Sequence, residues 1–327
     1  MSLNVALPAP PRPKTDWLRF GVPAALLAVL VFFSVAAPGF LTLSNITGVL
    51  VNNVALTAIV ALAMTLAVAS GGTDLSVGTG VDLGSLALVT AVAAGQPVWL
   101  GALCGVLAGL ALGLLNALLI ARLSITPFIA TLGTLFIGHS FQQLTTDGGN
   151  PVYVAAQRQS PALAALGHGS LLGVPVSLWI VAVVALGTWV ALEKLRFGRE
   201  VRAAGAQPLV AFFSGLPVSR TLGLVYLASA GISALAGLLL SAHVNAYVPF
   251  SGNAYLLNAI GAAFIGTSLS PRRRANVPGT LLGVALLGFV ANGLLLIGWN
   301  FYWQQVGTGA MIFLALVLAF AGRRSVH

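Results

Sequence analysis

The stretch LRFGREVRAAGAQPLVAFFSGLPVSRTL, from Leu195 to Leu222, is the longest polar interruption in a chain that is otherwise almost wholly apolar. Its charged residues are Arg196, Arg199, Glu200, Arg202 and Arg220. Its middle begins with Pro208, which favours the first turn of a helix, and ends at Gly215, with Pro217 two residues further on. The segment 207–215 is too short to cross a bilayer, which takes about 20 residues. The sequence therefore predicts a short helix that lies at a membrane surface between two spans.

Composition places the rest of the chain in a membrane. Of the 327 residues, 58% are hydrophobic and only 6% are charged, and the mean hydropathy is +0.99. Soluble domains carry about 25% charged residues. Apolar runs of about 20 residues recur along the chain, and they are continuous rather than alternating, which favours spanning helices over a β-barrel. We therefore predict an all-α polytopic membrane protein.

The apolar runs divide the chain into about ten transmembrane helices, which places the N- and C-termini on the same side of the membrane. We expect a Pro-rich tail over residues 1–17, a membrane domain over 18–322 that contains the polar segment 195–221, and a short tail over 323–327. The first apolar run resembles the core of a signal peptide, but Pro38 directly after it argues against cleavage. We interpret that run as the first span.

The basic residues predict which side the termini occupy. With ten spans, fourteen of the fifteen Lys and Arg residues fall on the side of the termini, and only Arg158 falls on the other side. By the positive-inside rule, that side is the cytoplasm. The formal charge of +9 has the same cause, so nucleic acid is not an expected partner.

Catalytic and nucleotide-binding motifs are missing from the sequence. It contains no H-E-x-x-H, no Cys/His cluster and no G-x-S-x-G, and neither of its two lysines lies in a phosphate-binding loop. We expect no enzyme activity, no metal and no cofactor in this chain, so ATP and Mg would lie on a separate ATPase if ATP drives it. Proton coupling usually needs ionisable groups inside the membrane. The candidates are Asp74, Asp82, His139 and His243, and each lies near the end of a predicted helix.

Two polar features interrupt the spans. The segment Gly71–Gly72–Thr73–Asp74–Leu75–Ser76 breaks the chain between two apolar runs, and we interpret it either as a capped turn or as a broken helix that lines a pathway. A second feature is a polar stripe on one helix at i, i+3, i+4 and i+7, formed by His139, Gln142, Gln143 and Thr146. With further amides such as Asn52, Asn53 and Asn292, the stripe suits a neutral, hydroxyl-rich solute better than an ion.

The sequence motifs around these polar features resemble those of the permease subunits of ribose-type bacterial ABC importers. The stretch GGTDLSVG at 71–78 is similar to the family's G-G-I-D-L-S-V-G, and PFIATLGT at 127–134 is a second match. The segment 197–216 is similar to the family's cytoplasmic coupling segment, and NGL at 292–294 and WQQV at 303–306 also fit. The similarity extends from about residue 45 over nearly the whole chain.

The resemblance implies a permease in the bacterial inner membrane that pairs with a second permease copy, two cytoplasmic ABC ATPase subunits and a periplasmic sugar-binding protein. It implies a monosaccharide or the autoinducer-2 signal as solute. The predicted substrate pathway comprises Asn52, Asn53, Asp74, Ser76, Phe128, His139, Gln142 and Asn292. The predicted ATPase-coupling residues are Gly205, Gln207, Pro208, Phe212, Phe213 and Gly215. The alternatives are a stand-alone transporter driven by an ion gradient and, third, a membrane scaffold without transport.

The sequence departs from the family pattern in three places. Ala206–Gln207 replaces the usual Gly-Asn, and Phe212–Phe213 replaces small or charged residues. After Leu269 the usual glycine turn is replaced by a basic turn that contains Arg272–Arg274. That turn is interpreted as a topology anchor, or else as a second contact with the ATPase or with anionic lipid.

Overall fold

The computed structural model of the chain describes residues 20–270 and 273–321. The predicted tails over 1–17 and 323–327, and Arg272 of the basic turn, lie outside these residues. The helices are α1 Gly21–Ala36, α2 Leu43–Val49, α3 Leu56–Ala69, α4 Val77–Ala93, α5 Val98–Ala117, α6 Pro127–Thr145, α7 Pro161–His168, α8 Val176–Trp189, α9 Arg196–Ala206, α10 Pro208–Phe213, α11 Val218–Val244, α12 Asn253–Thr267, α13 Val277–Leu296 and α14 Phe301–Ala321.

Short irregular elements connect these helices. A π-helical turn, Leu50–Ala55, joins α2 to α3, and similar turns, Leu118–Arg122 and Val190–Lys194, extend α5 and α8. A 3₁₀ turn lies at Ala156–Arg158. The described part of the chain also contains the two-residue strands β1 Val152–Tyr153, β2 Ser170–Leu171, β3 Val174–Pro175 and β4 Ala246–Tyr247. They form two antiparallel pairs, β1 with β4 and β2 with β3.

Among the described residues, five helices are long and apolar enough to cross a membrane. They are Leu43–Ala69, Val98–Arg122, Val176–Lys194, Val218–Val244 and Val277–Leu296. The helices α1 and α4 are apolar but shorter. The polytopic helical membrane protein that composition predicts is thus confirmed.

Helix α3 lies at the centre of the bundle, and every residue from Leu56 to Ala67 is buried. The long helix α11 packs along α3, α4 and α5, while α12 and α13 cover another side of α3. A hydrogen bond of 2.8 Å between the hydroxyl groups of Thr65 and Thr280 joins α3 to α13 inside this core. The centre of the molecule is therefore a helix surrounded by other helices rather than by lipid.

Glycines on α5 allow two neighbouring helices to approach closely. A Cβ on Gly105 would lie 2.8 Å from the carbonyl oxygen of Gly84 on α4. One on Gly113 would lie 2.8 Å from the Cα of Leu227 on α11. The four-residue spacing of Gly105, Gly109 and Gly113 predicts close helix packing, and the structure confirms it.

Two of the short helices, α4 and α12, begin directly after a non-helical segment. At 1.5 Å per residue, α4 and α12 span about 25 and 22 Å, less than the roughly 30 Å hydrocarbon core. Non-helical segments, 70–76 and 245–252, precede them. The N-termini of the two helices meet, because a Cβ on Gly78 would lie 3.0 Å from the carbonyl oxygen of Gly252. The break before α4 is the one that the sequence predicts, and the break before α12 falls between two of the predicted spans.

Candidate functional site

The carboxyl group of Asp74 is fully buried at the break before α4. Its Oδ1 accepts hydrogen bonds from the backbone N–H of Ser76 at 3.0 Å and from the Ser76 hydroxyl at 2.6 Å. Its Oδ2 accepts one from the hydroxyl of Ser229 on α11 at 2.7 Å. The carboxyl group therefore ties the start of α4 to the middle of α11.

The same network reaches two further helices. Ser76 Oγ accepts a hydrogen bond from Asn116 Nδ2 on α5 at 2.7 Å, and Asn116 Oδ1 accepts one from Thr134 on α6 at 2.7 Å. Thr131, one turn before, accepts a bond from the backbone N–H of Leu75 at 3.1 Å. All these side chains except that of the half-buried Leu75 are buried, so the network joins α4, α5, α6 and α11 and is closed to solvent in this conformation.

A cavity of about 840 Å³ opens beside the broken helix. Its walls come from the end of α3, the turn 71–73, the start of α6, helix α9, the end of α12 and residues 273–275. Phe128, a predicted pathway residue, lines it and is 56% exposed. Because Arg122, α9, α10 and Arg273–Arg274 lie on this side of the bundle, we call it the basic end. Residues Gly71, Gly72 and Thr73 form what we call the GGT turn. The cavity gives the backbone of this turn a route to solvent.

Helix α9 touches the GGT turn directly, backbone against backbone. A Cβ on Gly205 would lie 2.6 Å from the carbonyl oxygen of Ala69 and 2.8 Å from the backbone nitrogen of Gly71. Gly71 has φ +83°, a left-handed conformation that glycine adopts without strain. The polar segment 195–221 is therefore in mechanical contact with the broken helix.

Helix α10 presents an apolar surface away from the bundle. Its exposed side chains are Leu209, Val210, Phe212 and Phe213, and Phe213 is 82% exposed. Pro208 is its first residue, Gln207 precedes it, and Gly215 ends it with φ +77°. The short surface helix predicted over 207–215 is thus present as 208–213. Two adjacent exposed phenylalanines on a surface helix suit a protein partner better than water.

At the opposite end of the bundle, Gln142 holds the segment before α12. Its Oε1 accepts hydrogen bonds from the Tyr247 hydroxyl at 2.8 Å and from the backbone N–H of Phe250 at 3.1 Å. Asp82 on α4 acts on the same segment, since its Oδ1 accepts the backbone N–H of Gly252 at 2.7 Å and the Ser251 hydroxyl at 3.2 Å. Together these two side chains fix the non-helical segment 248–252 against α4 and α6.

The polar stripe on α6 is divided by burial. Gln142 and Thr146 are buried, and His139 lies 3.3 Å from Asn253 at the start of α12. Gln143 is exposed. The stripe therefore faces the α4 and α12 side, with Gln143 at its edge.

The other predicted pathway residues lie apart from this region. Asn292 exchanges two hydrogen bonds with Asn45, of 3.0 and 3.1 Å, and so joins α13 to α2. Asn52 is exposed and Asn53 half-buried on the π-helical turn before α3. The structure thus brings Asp74 and Ser76 together, and His139 close to Gln142, but leaves the asparagines separate. Their role in a pathway stays a prediction.

The sequence does not reveal most of the hydrogen-bond partners of Asp74, Ser76 and Gln142. Ser229, Thr131 and Thr134 carry no signal beyond being hydroxyl groups in apolar runs. Asp82 carries a stronger signal, because a lone acid inside a span needs a buried partner. In the described parts of the chain, no three His, Cys, Asp or Glu side chains come together as a metal site would require.

Replacing Gln142 by leucine is expected to destabilise the protein by about 2 kcal/mol, because the Tyr247 hydroxyl and the Phe250 N–H would stay buried without an acceptor. The measurement is the thermal unfolding midpoint of the detergent-purified chain. Gln143→Leu, the same change on the next residue of the same helix, is the matched control and should leave the midpoint within a degree or so, because Gln143 is exposed. Equal midpoints for the two variants would contradict the role of Gln142.

A bundle of helices long and apolar enough to cross a membrane, with a covered polar break and an exposed apolar surface helix, fits a subunit of a membrane transport system. Residues 45–316 match the family described as the permease component of the branched-chain amino acid transport system. The chain belongs to this family. It is a transport permease subunit of the ABC importer kind, not an enzyme, and a multi-pass protein of the bacterial inner membrane.

Relatives support this placement and confirm the resemblance to ribose-type permeases. The ribose import permease protein of Bacillus subtilis (strain 168) is 33% identical over 300 residues, 92% of each chain. That of Escherichia coli (strain K12) is 32% identical over 299 residues, 90% of this chain and 91% of the relative. The autoinducer 2 import system permease protein of Yersinia enterocolitica is 33% identical over 260 residues, 79% of this chain and 78% of the relative. No solved structure matches the chain.

Proposed function

We propose that this permease carries a monosaccharide or sugar-like solute into the cytoplasm, by alternating access coupled to separate cytoplasmic ATPase subunits. ATP and Mg would bind only to those subunits, and a periplasmic sugar-binding protein would deliver the solute. The relatives named for ribose and autoinducer 2 import support the solute class. The neutral amides and hydroxyl groups of the α4–α6 region suit hydroxyl-rich solutes.

The observation that carries the ATP-driven proposal is the contact between α9 and the GGT turn. A partner that binds the exposed face of α10 would move α9, and a shift of α9 toward the turn would push directly on the backbone of Gly71, because no side chain separates them at Gly205. Such a partner would shift the populations of inward- and outward-facing states through the broken helix. The basic end is then the cytoplasmic end.

The proposed topology has ten crossings with both termini in the cytoplasm. The crossings are α1, the α2–α3 rod, α4, α5, α6, α8, α11, α12, α13 and α14. The short helices α4 and α12 would complete their crossings through the segments 70–76 and 245–252. A second permease copy, identical or related, completes the proposed assembly.

An ion-gradient mechanism has less support. It would use Asp74 or Asp82 as a proton or ion carrier, but Asp74 is fully buried and both of its oxygens accept hydrogen bonds from serine groups. Asp82 is equally buried and holds the start of α12. In this conformation neither carboxyl group meets the cavity.

The test of this proposal substitutes the two exposed phenylalanines of α10 and measures ATPase binding. We expect the double variant Phe212→Glu and Phe213→Glu to reduce co-purification of the ATPase with the tagged permease at least tenfold, because two exposed phenyl groups would become charged. Folding should persist, since both side chains are exposed. The control is Leu172→Glu, an exposed apolar residue at the opposite end.

A measurement of sugar uptake then distinguishes ATP-driven import from transport driven by an ion gradient. Proteoliposomes that contain permease and ATPase, supplied with the binding protein and labelled ribose or galactose, should take up sugar only with ATP. Uptake by the permease alone under a proton or sodium gradient would overturn the proposal. So would full ATPase binding by the double variant.

A further inference from the structure

Among the described residues, three arginines and no acidic residue line the cavity at the basic end. Arg202 comes from α9, and Arg273 and Arg274 come from the turn between α12 and α13. These positions are about 70 residues apart in the chain, so only the fold brings them together. An acidic residue does contact one of them, since Glu193 pairs with Arg202, but Glu193 is outside the lining.

Topology alone does not explain this arrangement. The positive-inside rule requires basic residues at the cytoplasmic end but not around a cavity. Arg122, Arg199 and Arg220 at the same end are exposed, whereas Arg202 and Arg273 are half-buried. The Nε of Arg202 is buried and has no hydrogen-bond partner among the described residues. The fold therefore concentrates positive charge around this cavity, from two segments that are distant in the chain.

The N-terminus of α6 adds to the positive electrostatic potential inside the cavity. This 19-residue helix begins at the cavity wall with Pro127, and its N-cap residue, Thr126, makes no side-chain capping bond. The free N–H groups and the dipole of such a helix start favour an anion. Apolar side chains lie on other walls, among them Val68 at the end of α3 and Phe264 on α12. The cavity thus combines an anion-binding side with an apolar side, at the surface of a membrane protein.

We propose that this cavity binds the phosphate headgroup of an anionic phospholipid of the cytoplasmic leaflet, with the arginines on the phosphate and the apolar wall against the lipid's glycerol and first acyl carbons. Basic pockets between spans on the cytoplasmic side bind such headgroups in other membrane proteins. The turn 71–73 and Gly205 line the same cavity, so the headgroup would contact both sides of the proposed coupling contact. The leaflet assignment rests on the cytoplasmic orientation proposed above.

The experiment measures lipid binding by the full permease in detergent, without ATPase or solute. Phosphatidylglycerol, phosphatidylethanolamine, inorganic phosphate and glycerol 3-phosphate are titrated separately, and binding is followed by thermal unfolding and native mass spectrometry. We expect phosphatidylglycerol to raise the unfolding midpoint and the other three to have little effect. Arg273→Ala with Arg274→Ala should weaken phosphatidylglycerol binding about tenfold or more, since two charges near the phosphate are lost.

The matched control is Arg122→Ala with Arg199→Ala, which removes two charges from the same end but outside the cavity. It should change lipid affinity less than twofold. If the first double variant does not fold, Arg274→Ala alone, at an exposed side chain, should still weaken binding about threefold. This measurement is independent of transport, so its failure would leave the proposed import function standing.

Three results would overturn the proposal. Equal binding of phosphatidylethanolamine would show that charge is not recognised. Protection by inorganic phosphate or glycerol 3-phosphate that the arginine variants abolish would identify a site for soluble phosphates instead. Unchanged lipid affinity, combined with loss of ATPase co-purification in the Arg273 and Arg274 variant, would identify a second ATPase contact.

Discussion

Replacing Asp74 by alanine is expected to lower the free energy of unfolding by about 3 kcal/mol or more and to abolish uptake. The reason is that the carboxyl group is fully buried and accepts three hydrogen bonds, which anchor the N-terminus of α4 to α11. Alanine would leave the donors of Ser76 and Ser229 unpaired in an apolar interior. The measurement is thermal or denaturant unfolding of the purified chain, together with uptake in proteoliposomes.

A graded series separates the network from a role in solute binding. Ser229→Ala removes one of the three donors and should cost about 1–2 kcal/mol, and Asp74→Asn should fall between it and Asp74→Ala. Asp147→Asn, at an exposed acid in the loop after α6 whose φ of +48° asparagine also tolerates, should leave stability unchanged. An Asp74→Ala variant with normal stability but no uptake would show that Asp74 acts on the solute or on protons instead.

The sequence predicts this break well because its signal is local. A glycine pair followed by Thr73, Asp74 and Ser76 between two apolar runs cannot continue a helix, and the structure shows a non-helical segment there. The polar stripe on α6 is likewise local, and its i, i+4 members Gln142 and Thr146 are buried. Helical periodicity therefore identifies the inward face without knowledge of any partner.

The sequence could not identify the hydrogen-bond partners of these groups, because the partners lie far away in the chain. Asp82 contacts Gly252, 170 residues away, and Asn45 pairs with Asn292, 247 residues away. The sequence of an apolar run does not indicate which of its hydroxyl or amide groups will contact another helix. The contacts of the segment before α12 are hidden for the same reason, because Phe250, Ser251 and Gly252 bond to groups on α4 and α6.

Replacing Gly205 by valine is expected to reduce ATP-driven uptake at least tenfold while ATPase subunits still co-purify with the permease. A side chain at this position would collide with the backbone at Ala69 and Gly71, so α9 would have to move away from the GGT turn. The apolar face of α10 would stay intact and could still bind its partner. The ATPase would then hydrolyse ATP without moving the broken helix. The measurement compares ATP hydrolysis with sugar uptake in the same proteoliposomes.

Gly187→Val is the matched control, because a Cβ on Gly187 in α8 meets nothing within 4 Å in this chain. It should keep hydrolysis and uptake in their normal ratio. The Gly205 variant, by contrast, should lose uptake and retain hydrolysis, because binding and transmission use different faces of the same segment: Phe212 and Phe213 point outward, whereas Gly205 faces the turn. Loss of ATPase binding in Gly205→Val would show that α9 positions α10 instead. Normal uptake would show that force reaches the spans by another route, for which the continuous chain from α10 into α11 is the next candidate.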